Sequence, residues 1–445
     1  MNLRQVTIGL AVVGAVGWAF GAAAAFAQSE QFIPRLVYRT GPYAPDGIPF
    51  ANGYADYLDM VNARDGGVGG VKITYEECET GYNNDKGVEC YERLKHHPPT
   101  GASLVDPLST GITYALIGRA TADKIPVVSM GYGRADASYG PVFPYVFTYP
   151  ATYWAGADAM IQYIGQQEGG MAKLKGKKIA LVYLNAAYGK EPIPTLERLA
   201  KEYGYTFTGY AVNSPGLDQQ ATWLQIHQAK PDWVLMWGWG VMNSTAIKDA
   251  VSVGYPMDHF IGIWWSGDNP DVQPAGMSAK GYKAATFHGV GTNYPVIQDI
   301  LKYVYAKGGG HGPKDGVGGP LYDRGVINAI YDLEAIRTAQ GKYGKKSLTG
   351  EQVQWGLEHL NLTDARVKAL GAEGLVTPIK LSCEDHEGDG NVRIQQWDGK
   401  TWHMISGWIK PNRTALREAY KESAMAYAKE NNITPRDCAK QAAAK

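Results

Sequence analysis

Short apolar runs recur along this chain, each too brief for a helix and each followed by glycine or small polar residues. They alternate with stretches whose apolar spacing suits a helix. The runs at 36–40, 71–75, 104–105 and 127–129 form one series, and those at 179–183, 206–210, 233–236 and 259–263 form a second. Helices are predicted between them at 50–62, 88–96 and 113–124, then at 153–167, 195–203, 219–229 and 242–253. Alternation of this kind folds as parallel sheet covered by helices. The expected fold is therefore α/β, with two doubly wound parallel-sheet lobes. No sequence repeat is visible, but the architecture is duplicated.

One stretch stands out, residues 102–134. It reads strand, Pro107-Leu108-Ser109-Thr110-Gly111, helix, strand. In a parallel βαβ unit the loop after the first strand lies at the carboxyl edge of the sheet, where α/β proteins bind ligands. The hydroxyls of Ser109 and Thr110, with the free N–H groups of the first helical turn, suit a carboxylate or similar anion. Ser109 would equally serve as a plain helix cap.

The chain opens with Arg4, an apolar run rich in alanine and glycine over 8–26, and Ala25-Phe26-Ala27 before Gln28. That pattern is an export signal over 1–27 with a small-residue cleavage site and no cysteine for a lipid anchor. Stable membrane insertion after its removal is not expected. The remaining roughly 418 residues exceed what one hydrophobic core usually serves, again implying two lobes. With 43 basic and 43 acidic residues, the net charge of +0 offers nucleic acid no attraction. Export makes Cys78, Cys90, Cys383 and Cys438 disulfide candidates, and of three connectivities the pairing of sequence neighbours is simplest.

Beyond the second series, an extended segment at 283–288 is expected to cross back to the first lobe. Helices follow at 296–306 and 325–340, flanking a glycine-rich loop at 308–319. Residues 378–381 read as a late crossing, 392–397 and 402–405 as a β-hairpin, and 416–429 as a closing helix. Asp385-x-Glu387-x-Asp389-Gly390 begins like a calcium loop, but its twelfth position is Gln396, so a solvated turn is expected. His96-His97 has no partner cluster, and Gly66-Gly67-Val68-Gly69-Gly70 lacks dinucleotide-binding spacing. No metal site and no cofactor are predicted. The nucleophile elbow of exported α/β hydrolases is missing, which speaks against an enzyme.

In order, the features at 36–41, Tyr75-Glu76-Glu77-Cys78, Pro107-Leu108-Ser109-Thr110-Gly111, Ile125-Pro126-Val127-Val128-Ser129, Ala187-Tyr188-Gly189 and 246–254 resemble the type I solute-binding proteins of ABC importers, the branched-chain amino-acid-binding (leucine-binding) group. The resemblance implies two lobes joined by three hinge crossings, with a small-molecule ligand held in the cleft and delivered to a membrane-embedded permease from the periplasm. The lobes would be 28–149 with 284–374, and 150–283 with 375–430, followed by a tail at 431–445. By position it puts Ser109 and Thr110 on the ligand's carboxylate, and places Gly131, Tyr132, Gly133 and Tyr188 at the site. The sequence departs from amino-acid binders where an acidic partner for the ligand's ammonium is expected. That region reads Ile263-Trp264-Trp265-Ser266, with Asp268 nearby. Trp237 and Trp239 follow one strand, Trp264 and Trp265 another. One indole from each pair, with Tyr188 and Tyr43 or Tyr132, would build an aromatic-walled cleft. The expected ligand is a small aromatic or apolar carboxylic acid, ahead of an amino acid or amide, and a sensory binding protein is the alternative role.

Overall fold

The computed structural model describes residues 30–443. The expected export signal lies outside the described residues. The strands are β1 (Glu30–Val37), β2 (Lys72–Glu79), β3 (Val127–Val128), β4 (Val146–Phe147), β5 (Lys178–Leu184), β6 (Thr206–Val212), β7 (Trp233–Trp237), β8 (Phe260–Gly262), β9 (Lys283–Thr286), β10 (Asn361–Leu362), β11 (Ile379–Lys380), β12 (Arg393–Trp397) and β13 (Trp402–Met404).

In the first lobe β1 pairs with β2, bridges to Asp106, and through the Val105–Val127 bridge reaches β3 and β4, all parallel. The spatial order is β2-β1-(104–106)-β3-β4. In the second lobe β6-β5-β7-β8-β9 repeats that order in parallel, and β12-β13 adds an antiparallel hairpin against β9. The two lobes therefore share one winding, which places the ends of β1, β3, β5, β7 and β8 at facing carboxyl edges. The segment expected to cross at 283–288 is still sheet through Thr286, paired to β8 and β12. The run at 104–105 contributes only bridges, because Pro107 follows at once and offers no ladder N–H.

Several helices begin earlier than their apolar spacing suggests. Ala44–Asp65, expected only from residue 50, has Pro45 in its first turn, where proline is well tolerated, and runs on through Gly47 and Pro49. It packs on Pro320–Tyr343 through two glycines. A Cβ on Gly53 would stand 1.9 Å from Tyr322 O, and one on Gly325 would stand 2.1 Å from Phe50 O. The bare backbones let the helices touch, and no larger residue fits there. Helices Gly350–Glu358 and Asp364–Ala369 were not anticipated. Each is short and starts from a threonine cap, Thr349 and Thr363.

The closing helix, Arg413–Glu430, rests on both lobes. Tyr420 bonds Thr152 and stacks on Trp154, while Ser423 bonds Asp136 and Tyr427 stacks on Phe143. Beyond it Arg436 donates to Gly140 O and Glu358, and Cys438 is bonded to Cys383. Cys78 is bonded to Cys90, so both sequence-neighbour pairings form. The turn at 385–390 is not solvated as expected. Glu387 is fully buried, accepts the Thr152 N–H at 2.8 Å and is paired to Arg413.

Candidate functional site

Where the two carboxyl edges meet, the lobes touch. Gly240 N donates to Asp46 Oδ2 at 2.6 Å, Val241 N to Pro42 O at 3.2 Å, and Tyr43 OH pairs with Ser214 Oγ at 2.7 Å. Gly131 turns through a left-handed conformation at φ +71°, which glycine reaches at little cost. Its carbonyl accepts both indole N–H groups of Trp264 and Trp265, at 2.7 and 2.6 Å. A carbonyl has two lone pairs, and the second lobe uses both.

Aromatic side chains pack across the junction, and the expectation of one indole from each pair does not describe Trp264 and Trp265, which both reach the first lobe. All four tryptophans are buried, and Trp264–Ser266 is a single tight turn rather than extended strand, so both of its indoles reach the first lobe. Trp265 packs against Tyr132 (4.3 Å between rings) and Trp239 (5.1 Å), while Trp264 stacks on Tyr153 (5.5 Å). Tyr153 also contacts Tyr188 and, more distantly, Trp237. Tyr43 meets Tyr82 at 4.8 Å, which in turn meets Tyr38 and Trp239. Tyr38 and Tyr132 share a hydroxyl hydrogen bond at 2.9 Å. Tyr43, Gly131, Tyr132, Trp239, Trp264 and Trp265 thus meet across the junction, while Tyr188 and Trp237 pack behind them on Tyr153.

Ser109 and Thr110 each accept a backbone N–H. Ser109 Oγ accepts the Ile112 N–H at 3.3 Å as the cap of Thr110–Asp123, and the Tyr82 hydroxyl bonds to it. Thr110 Oγ1 accepts the Gly133 N–H at 3.1 Å. Ser109 therefore caps the helix, and each hydroxyl keeps its own O–H as a donor. Ser109→Ala is expected to cost about 1 kcal/mol of stability, read by urea denaturation, and no change would show that water replaces the cap.

Sequence reasoning missed Tyr38, Asp46, Tyr82, Tyr153, Glu191 and Arg324. Only Asp46 had a signal, an acid in the first turn of a helix beginning after a strand. Arg324 is fully buried on Pro320–Tyr343. It donates from Nε to His288 Nε2 at 2.9 Å, donates to Trp264 O, and lies 4.9 Å over the Trp265 ring. Its Nη2 has no partner, and burial lowers its pKa to about 10. Burial also holds His288 well below the ordinary imidazole value, with Arg324 adding to the effect, so His288 is the neutral acceptor.

Carboxylates span the junction. Asp268 of the second lobe accepts the Leu321 N–H, and burial raises it to about 6. Glu191 accepts Ala135 N at 3.1 Å and the Tyr114 hydroxyl; burial raises it to about 7, with Asp136 adding and Arg134 opposing. These groups bind a proton more tightly when the lobes meet than in water. Closure is then favoured at low pH and weakens as pH rises through about 6 to 7. Small-angle scattering of the ligand-free protein should show a smaller radius at about pH 5 than at about pH 8. The reverse trend would refute the linkage. Among the described residues no cluster of three or more metal-ligating side chains forms a metal site, and no helix is long and apolar enough to cross a membrane.

Two lobes of one winding, meeting over packed aromatic side chains, have the architecture of a two-lobed binding protein. A model of the periplasmic binding protein family matches residues 30–401, and the chain belongs to that family, with its type I fold. A crystal structure from the Pseudomonas fluorescens group, described as an ABC transporter permease, is 44% identical, with a TM-score of 0.87 over 92% of this chain and 100% of that one. A branched-chain amino acid ABC transporter protein from Thermus thermophilus with bound valine is 23% identical, with a TM-score of 0.72 over 88% of this chain and 98% of that one. A solute-binding protein from R. palustris in complex with benzoate is 19% identical, with a TM-score of 0.65 over 86% and 97%. The latter two show a shared fold. Comparison with curated proteins finds no match. The chain is thus a solute-binding protein of the ABC-transporter type.

Proposed function

We propose that this protein captures a small carboxylic acid with an aromatic or otherwise apolar body, closes two lobes over it, and delivers it from the periplasm to a membrane-embedded permease. The observation that carries the reading is the junction itself. Tyr132, Tyr153, Tyr188, Trp239 and Trp265 converge from both lobes, and such walls favour a flat or apolar body over a polar one. The buried Arg324 guanidinium, with its unpartnered Nη2, supports an acidic ligand, since a cation so placed gains from a nearby anion. The lobes would be the segments built on β1–β4 and on β5–β9 with the β12–β13 hairpin. The three crossings would fall around 148–152, 287–294 and 382–391.

Binding and release need no covalent step. The ligand meets one lobe, the second closes, and the permease reads the closed form. The test is to denature purified protein and identify by mass spectrometry what it releases, then to run thermal shifts with benzoate, octanoate and leucine. Stabilisation by the acids is expected. Tight leucine binding without any response to the acids would overturn the ligand class while leaving transport intact.

A further inference from the structure

Asp46 stands in the first turn of Ala44–Asp65 with no exposed surface. Its Oδ2 holds the Gly240 N–H of the opposite lobe, whereas its Oδ1 is buried without a hydrogen-bond partner. One residue from Gly240, the Trp239 indole Nε1 is likewise buried and unpartnered. Buried polar atoms are almost always hydrogen-bonded, and two orphans flanking one cross-lobe contact call for a shared third party. Ser109 and Thr110, the expected anion holders, accept the backbone N–H groups of Ile112 and Gly133.

What Asp46 can offer depends on its charge. The groups that face it are Asp268 and Asp271 from the second lobe, Arg324 from Pro320–Tyr343, and the Tyr38 and Tyr188 phenols. Burial, then Asp271 and Asp268, push its carboxyl well above the ordinary carboxylate range, with the Gly240 N–H and Arg324 opposing. Three carboxyl groups around one guanidinium in a dry junction favour a neutral acid. A neutral Asp46 turns its free oxygen into a donor, as the unpartnered Trp239 indole N–H already is.

We infer that Asp46 is a protonated ligand-binding residue that, with Trp239 Nε1, donates to the ligand's carboxylate, so that Asp46 accounts for one of the protons taken up on capture. This rests on the carboxylic-acid reading above. In the open molecule Asp46 faces water and is ionised at neutral pH, and it gains its proton on closure. Affinity is then greatest at low pH and falls about tenfold per pH unit above the open-form pKa, until the closed-form value is passed.

Calorimetric titration with benzoate, between about pH 6 and pH 8.5 and in buffers of different ionisation enthalpy, counts the protons directly. Asp46→Asn supplies a permanent neutral donor and keeps an acceptor for Gly240. It should take up one proton fewer, flatten the slope of log Kd against pH by about one, and bind benzoate about tenfold tighter than wild type near pH 8. Asp46→Ala should bind at least tenfold more weakly than Asp46→Asn. Circular dichroism of each variant confirms the fold. An unchanged proton count in Asp46→Asn overturns this inference alone. Benzylamine binding that Asp46→Asn abolishes would show a charged Asp46 and overturn it too. Wild-type protein that responds to neither benzoate nor octanoate would overturn the acid reading, and this inference with it.

Discussion

Arg413→Leu should destabilise the protein by about 3–5 kcal/mol, the usual cost of stranding a buried charge. Arg413 donates to Asp385 at 2.7 Å and to Glu387, whose side chain is wholly buried. Glu387 in turn accepts the Thr152 N–H and, at 3.3 Å, the Tyr420 hydroxyl. One carboxylate thus joins the proposed first crossing, the proposed third crossing and the helix that lies over both lobes. Without Arg413, Glu387 must protonate, draw in water or leave. Chemical denaturation measures the loss, and Arg413→Leu with Glu387→Gln should recover part of it, because the stranded charge is gone. A loss below about 1 kcal/mol would show that the site is wetter than its burial indicates.

The second large effect is expected from Cys383→Ser with Cys438→Ser. This bond closes a separation of 55 residues. In the chain-entropy model that contributes about 4 kcal/mol, against about 3 kcal/mol for the 12-residue separation of Cys78 and Cys90. The longer bond also pins the tail whose Arg436 reaches Gly140 and Glu358. Its loss should lower the unfolding midpoint more than loss of the shorter one, with peptide mapping of unreduced protein confirming both pairs. Equal losses would mean that the unfolded chain is already compact around the tail.

Much of the fold was legible because strand and helix periods differ. The apolar runs at 179–183, 206–210 and 233–236 fall on β5, β6 and β7, and the helix read at 153–167 is Tyr153–Gln167. The readings that failed were local rules overridden by distant contacts. Gly47 and Pro49 sit inside a helix held from outside by Tyr38 and the Pro320–Tyr343 helix. The acidic run 385–389 reads as solvated, yet Glu387 within it is buried and paired to Arg413, while Asp389 stays exposed.

The candidate site divides in the same way. Tyr188, Trp239 and Trp265 could be placed at strand ends, since periodicity says where a strand stops and topology says which edge that is. Their orientation could not, because alternation ends where Trp264–Ser266 turns. Asp46, Tyr82 and Arg324 come from a helix start, a loop and a helix far apart in sequence, and nothing local marks them as neighbours.

By itself the sequence determined the α/β class and the duplicated winding, which follow from spacing, and it made neighbour pairing the simplest of three disulfide connectivities, the one that forms. Only the tertiary structure decided which hydroxyls are spent on capping, which carboxylates lie buried between lobes and which polar atoms are left without partners. The reason is physical. Burial and pairing depend on groups brought together from more than a hundred residues away, as Asp46 is with Gly240, and they set charge and hydrogen-bonding capacity more strongly than residue identity does.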